Sequence, residues 1–152
     1  MDGMLHGKTV NDIYIGLCRI CDYGRQPDLL NPYERTVFVT QELELEVNNG
    51  GFWQFFDNSG GQFANEIAEA FTKIGAHKTA AICKKAVAAF GQDLPVDWEE
   101  RRAFLDCVPE SVGSVLEECD DAFFASEEDL EALNASYIKD HIEQFTLAID
   151  NT

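Results

Sequence analysis

Apolar residues recur three and four positions apart along almost the whole chain, a period that fits helices and does not fit strands. From Thr9 to about Tyr23, the residues Val10, Ile13, Tyr14, Leu17, Ile20 and Cys21 share one helical face, and Gly24 and Pro27 end the segment. Asn31 before Pro32 reads as an N-cap with proline in the first helical position. It opens a segment to about Asn48 in which Thr36, Val39, Leu43 and Val47 share a face. Two readings compete here. Glu42, Glu44 and Glu46 alternate with Leu43, Leu45 and Val47 ahead of Asn49-Gly50, which is the pattern of a β-hairpin reaching Phe56. A strand of about seventeen unbroken residues would be very long, however, and Asn-Gly also closes helices in the left-handed conformation, so length favours the helix.

Phe52 to Phe56 then forms a short aromatic helix or turn, ended by the breakers Asp57-Asn58-Ser59-Gly60-Gly61. Phe63, Ile67, Phe71 and Ile74, followed after Gly75 by Ile82, Cys83, Ala86, Val87 and Phe90, predict a helical hairpin closed by Gly91. Asp97 caps a short helix carrying Trp98, Phe104 and Leu105. Pro109 starts another with the stripe Val112, Val115, Leu116, Cys119 and Phe123, weakened by Gly113. Ser126 and Asp129 have capping-box spacing, and Leu130, Leu133, Tyr137, Ile138, Ile142, Phe145 and Ile149 continue as one stripe. The expectation is an all-α, single-domain bundle of roughly six to eight helices over residues 1–152, with its helical core at about 9–149.

A chain of 152 residues can bury about 70% of its unfolded surface, and eleven Phe supply large side chains that a disordered acidic chain lacks. Twenty-eight Asp and Glu stand against 11 Lys and Arg, a formal charge of −17. Long-range repulsion therefore disfavours direct binding to nucleic acid or to an anionic membrane, and favours a basic partner. The first ten residues carry no apolar signal run, and no stretch approaches the 18 or so apolar residues of a membrane span, so a cytoplasmic location is expected. Five Cys, an odd number in a chain of this size, point to thiols in a reducing compartment.

No catalytic, metal or cofactor signature emerges. Cys18 and Cys21 have the spacing of a redox or metal pair, but no second pair follows and the βαβ setting of a thioredoxin site is missing. His6, His77 and His141 stand singly, Ser111, Ser114 and Ser126 lack a nucleophile elbow, and Gly50-Gly51 and Gly60-Gly61 match no phosphate loop. The acids around Asp120 and Glu128 lack the order and turn glycine of a calcium loop.

Charge is distributed unevenly. Residues 1–76 hold 11 acids and 5 bases, whereas residues 77–152 hold 17 acids and 6 bases, which places −11 of the −17 in the second half. Asp106, Glu110, Glu117, Glu118, Asp120, Asp121, Glu127, Glu128, Asp129 and Glu131 follow one another with no base between Ala103 and Ile138. Carboxylates three or four residues apart on a helix lie about 5–6 Å apart, of the same order as successive phosphates on a nucleic-acid strand. Such a face either presents itself to a basic surface as DNA does, or serves solubility alone.

Glu46, Asn49, Gly50, Gly51, Phe52, Gln54, Phe55, Phe56 and Asn58 resemble the signature of the bacterial DNA-mimic protein family: an acidic helix end, Asn-Gly-Gly-Phe, a Gln two residues on, two aromatics and an Asn. Asn31-Pro32-Tyr33-Glu34 upstream and the helical pair downstream are similar in layout, so the likeness covers most of the chain. The resemblance implies an all-α fold and frequent dimers. In mimic-type members it also implies an acidic surface that occupies the DNA-binding site of a transcription factor. Those members' acids form no transferable motif, so the partner-binding surface here is read from the ten acids above. The motif itself reads first as architecture, with a left-handed cap at Gly50 or Gly51 and buried Phe52, Phe55 and Phe56. Its second reading is a polar pocket of Glu46, Asn49, Gln54 and Asn58 walled by Trp53. The expected function is a non-catalytic acidic interaction protein whose partner is a basic, DNA-binding protein. The alternative is a ligand-binding or enzymatic domain built on Asn49–Asn58.

Overall fold

A computed structural model describes residues 5–152. Among them are nine α-helices and no strand: α1 (Val10–Ile20), α2 (Pro32–Gly50), α3 (Phe52–Asp57), α4 (Ile67–Lys73), α5 (His77–Ala88), α6 (Trp98–Leu105), α7 (Glu110–Ala125), α8 (Leu130–Asp140) and α9 (Thr146–Asp150). The hairpin alternative is thereby excluded, since the alternating segment from Glu42 to Val47 lies inside α2. No described helix is long and apolar enough to cross a membrane.

α2 starts at the predicted N-cap: Asn31 forms a reciprocal capping box with Glu34 behind Pro32. α1 opens with another, between Thr9 and Asp12, which sequence reasoning missed. α1 stops at Ile20, short of Tyr23, because Asp22, Tyr23 and Gly24 all take positive φ. α2 runs two residues past Asn48, and Gly51 rather than Gly50 is the left-handed residue, at φ 91°.

α2 is the central helix and touches α1, α3, α4 and α8. Its residues from Thr36 to Gln41 are all buried, so neighbours cover it on nearly every side. Its own Phe38 and, around it, Phe52, Phe55, Phe56, Phe63, Phe71 and Phe145 are all fully buried, in one apolar cluster that extends from Leu5 to Ala148.

Three predicted elements differ from the structure. The stripe from Phe63 to Ile74 is split, because Ser59–Glu66 winds as a 3-10 helix and the α-helix begins only at Ile67. Ser126 does not cap α8: it closes α7, and Asp129 caps α8 by accepting from the Ala132 N–H at 3.0 Å. The stripe from Leu130 to Ile149 breaks at His141, where Ile142–Phe145 forms a 3-10 turn before α9. That break lets α9 pack against α1, where Gly16 leaves room for the Ala148 carbonyl and Arg19 donates to the Asn151 carbonyl at 2.6 Å.

Candidate functional site

The family-like motif is the joint between α2, α3 and α7. Gly51 turns the chain between the two helices, and in its left-handed conformation a side chain would be strained. A Cβ there would also lie 2.6 Å from Asp120 Oδ2. The space is needed because Asp120 reaches from α7 to accept the Phe52 N–H at 2.7 Å, capping α3. Burial raises the Asp120 carboxyl above its ordinary range, the Phe52 N–H lowers it, and the charges of Asp121 and Glu117 raise it further.

The motif's polar residues are engaged with one another. Glu46 accepts from Gln54 Nε2 at 2.7 Å and from Asn58 Nδ2 at 3.2 Å, tying the end of α2 to the middle of α3 and to its C-cap. Phe52 meets Phe123 of α7 edge to face at 6.1 Å, and Phe56 meets Phe90 at 5.0 Å. Asn49 and Trp53 are exposed. A shallow depression beside the motif is lined by Leu45, Glu46, Asn48 and Asn49, while Gln54, Asn58 and Trp53 lie outside its lining.

Arg101 completes this joint, and sequence reasoning missed it. Its side chain is only 1% exposed, and it donates to four backbone carbonyls: Phe56 at 2.9 Å, Asn58 at 3.0 Å, Val96 at 2.8 Å and Pro95 at 3.2 Å. Gly61 leaves it space, since a Cβ there would lie 2.7 Å from Arg101 Nε. One signal was available: Arg101 stands four residues before Leu105, on the buried face of α6.

The ten predicted acids separate into distinct groups. Glu110, Glu117 and Asp121 are exposed and share the outer face of α7, within about 40° of one another at roughly 100° per residue. That face lies opposite the buried Val112, Leu116, Cys119 and Phe123. Glu127, Asp129 and Glu131 are exposed on the connector to α8 and its first turn, and Asp106 is exposed at the end of α6. Glu118 is also exposed but pairs with Lys85 of α5 at 3.4 Å, so a base absent from the run along the chain reaches it in space.

The remaining two acids are internal clamps: Asp120 holds α3, and Glu128 holds α5. Glu128 accepts the Lys78 N–H at 3.0 Å, the Thr79 N–H at 2.7 Å and the Thr79 hydroxyl at 2.6 Å. Burial pushes its carboxyl up, but these hydrogen bonds and the Lys78 charge outweigh burial and leave it below the ordinary range. A further acid joins the group from α2. The Glu44 carboxyl is raised by burial, with the charges of Glu131 and Asp129 adding to the shift, whereas a hydrogen bond from Gln41 lowers it. Its place in the alternating segment gave no sign of this, because α2 and α8 meet only in the folded chain.

Cys18 and Cys21 are buried free thiols, and burial pushes Cys18 up to about 11, far from a thiolate at neutral pH. Among the described residues, no group of three His, Cys, Asp or Glu is placed to hold a metal ion.

Neither a curated protein nor a solved structure matches the chain. The family model described as DMP19-like protein matches residues 28–141, that is 114 of the chain's 152 residues. The match runs from the turn before α2 to the end of α8 and contains the Glu46–Asn58 joint and all ten acids. The chain therefore belongs to the DMP19-like family, the DNA-mimic family that its motif resembles.

Proposed function

We propose that the protein is a non-catalytic DNA mimic of the cytoplasm, whose exposed carboxylates occupy the DNA-binding surface of a basic protein, in the first instance a transcription factor. The observation that carries this reading is the division of labour among the acids. Asp120, Glu128 and Asp129 are tied to helix N-termini, whereas Glu110, Glu117 and Asp121 stand free on the outer face of α7, with Glu127 and Glu131 following on the connector and in α8. Their backbone is held by the clamps, so the charges are presented on a rigid frame, which favours fast, salt-sensitive association. Family membership supports the same reading. The ligand-pocket alternative draws less support, because Glu46, Gln54 and Asn58 satisfy one another.

Affinity capture from nuclease-treated lysate, eluted with rising salt, tests the proposal. The expected result is one DNA-binding protein, displaced by its own operator DNA. With that protein in hand, Glu117→Lys, Asp121→Lys and Glu127→Lys together abolish binding while circular dichroism stays native. Asp120 and Glu128 are left intact so that the fold is not disturbed. Unchanged affinity of the triple variant would refute the acidic face as the site. Homodimer formation belongs to the same proposal and is read by sedimentation equilibrium.

A further inference from the structure

Away from the acids, a cleft of about 470 Å³ opens between the turn after α1 and the segment leading into α6, a size within the usual range of small-molecule sites. Its lining includes Tyr23, Arg25, Gln62, Val96, Trp98 and Arg101. Three independent features coincide there.

The first is exposed apolar surface. Tyr23 is 62% exposed, Val96 62% and Trp98 51%, and all three border this cleft. The second is backbone strain. Asp22 and Tyr23 take φ of 50° and 56°, a conformation that L-residues, bulky ones above all, avoid. The turn is held in it by Tyr23 N–H donating to the Cys18 carbonyl at 2.7 Å and Gln62 Nε2 donating to the Gly24 carbonyl at 2.9 Å. A bulky aromatic is thus kept in solvent against its own preference, at a position where Asn or Gly would be relaxed.

The third feature is charge. Arg101 lines the cleft at 1% exposure, and its four bonds go to carbonyls, with no carboxylate within ion-pair distance among the described residues. Five N–H donors against four acceptors leave one to spare. Arg25 borders the same cleft and, among the described residues, pairs only with Asp22, at 3.3 Å on the surface, while Asp97 is the one acid among the described residues of the lining. On a chain of charge −17, the lining sets two guanidiniums against one carboxylate, with Asp22 beside Arg25 and Asp57 near Arg101, so the cleft is close to neutral where the chain as a whole is strongly acidic, and its buried guanidinium attracts an anion.

We propose that this cleft binds a small aromatic carboxylate, its ring between Tyr23 and Trp98 and its carboxylate toward Arg25 and Arg101. The site is separate from the acidic face and does not depend on it.

Trp98 reports on the cleft once the other tryptophan is removed by Trp53→Phe, an exposed position. Benzoate is the probe, with benzamide as the ring without the charge and acetate as the charge without the ring. Saturable change in Trp98 emission is expected with benzoate at about 1 mM or below, and at least about tenfold weaker with either control. Tyr23→Asn relaxes the backbone while removing the ring, so it is expected to keep or raise the melting temperature and to weaken benzoate binding at least about tenfold. Arg25→Gln is expected to weaken benzoate and leave benzamide unchanged. No saturable response to benzoate, equal binding of benzamide, or full affinity in folded Tyr23→Asn would each overturn the proposal.

Discussion

Replacing Arg101 by Met removes the guanidinium and keeps most of the apolar stem, so the loss falls on the four carbonyls it serves. The Phe56 carbonyl is in the interior, and leaving it unpaired costs about 2 kcal/mol. The Asn58, Pro95 and Val96 carbonyls are part-buried and regain some hydration, so each loses roughly 0.5–1 kcal/mol. Against the resulting 4 kcal/mol or so stands the relief of a buried cation, whose desolvation lowers the Arg101 pKa although Asp57 and Asp97 oppose the shift. A net loss of about 3 kcal/mol follows, a large part of the roughly 5–15 kcal/mol that holds a domain together. For a chain of this length it corresponds to a fall in melting temperature of about 6–12 °C. Urea unfolding followed by circular dichroism measures it, with the slope against denaturant unchanged if the native fold persists. Arg101→Lys supplies at most three donors from a single point and recovers only part of the loss. A loss below about 1 kcal/mol for Arg101→Met would refute the view that this side chain joins α3 to the segment before α6.

Gly51→Ala places a Cβ at positive φ and against Asp120, so a loss of about 2–3 kcal/mol is expected, and Asp120→Ala in the same background should cost less than it does alone; additive losses in thermal melts would refute the coupling. The pH dependence has a worked sign. Burial raises Glu34, Glu42, Glu44 and Asp120, so their contribution to stability is fully present below an unfolded pKa of about 4 and is lost as pH rises through their folded values. Glu128 is lowered, so its contribution is present above about pH 4.3 and is lost as pH falls through its folded value. Melting temperature should therefore rise on acidification from neutral pH toward about 4, as the raised carboxyls protonate, and fall below that as Glu128 is protonated; a flat or falling curve between neutral pH and about 4 would contradict the assignment.

Local signals carried the helices with strong caps. Asn31-Pro32 and Asp97 each act within one turn, so their hydrogen bonds are the same in any helical context. They failed where a distant group decided the outcome. α8 ends at Asp140 and lets α9 fold back onto α1, a contact that Gly16 permits from more than a hundred residues away. Likewise α5 has no cap of its own at Ala76, because Glu128 supplies it across the fold.

The same distinction separates the acids. Their number, their order and the absence of a base among them are properties of the chain, and by long-range repulsion and attraction alone they set the sign of charge of the partner proposed above. Which carboxylates are free to meet that partner was decided only by tertiary contacts. Asp120 and Asp121 are neighbours in sequence, yet one accepts the Phe52 N–H and the other faces solvent, because successive residues on a helix point about 100° apart and only one of those directions meets α3. Composition determined how much negative charge the protein carries, and the packing of α7 against α3 and α5 decided where that charge is exposed.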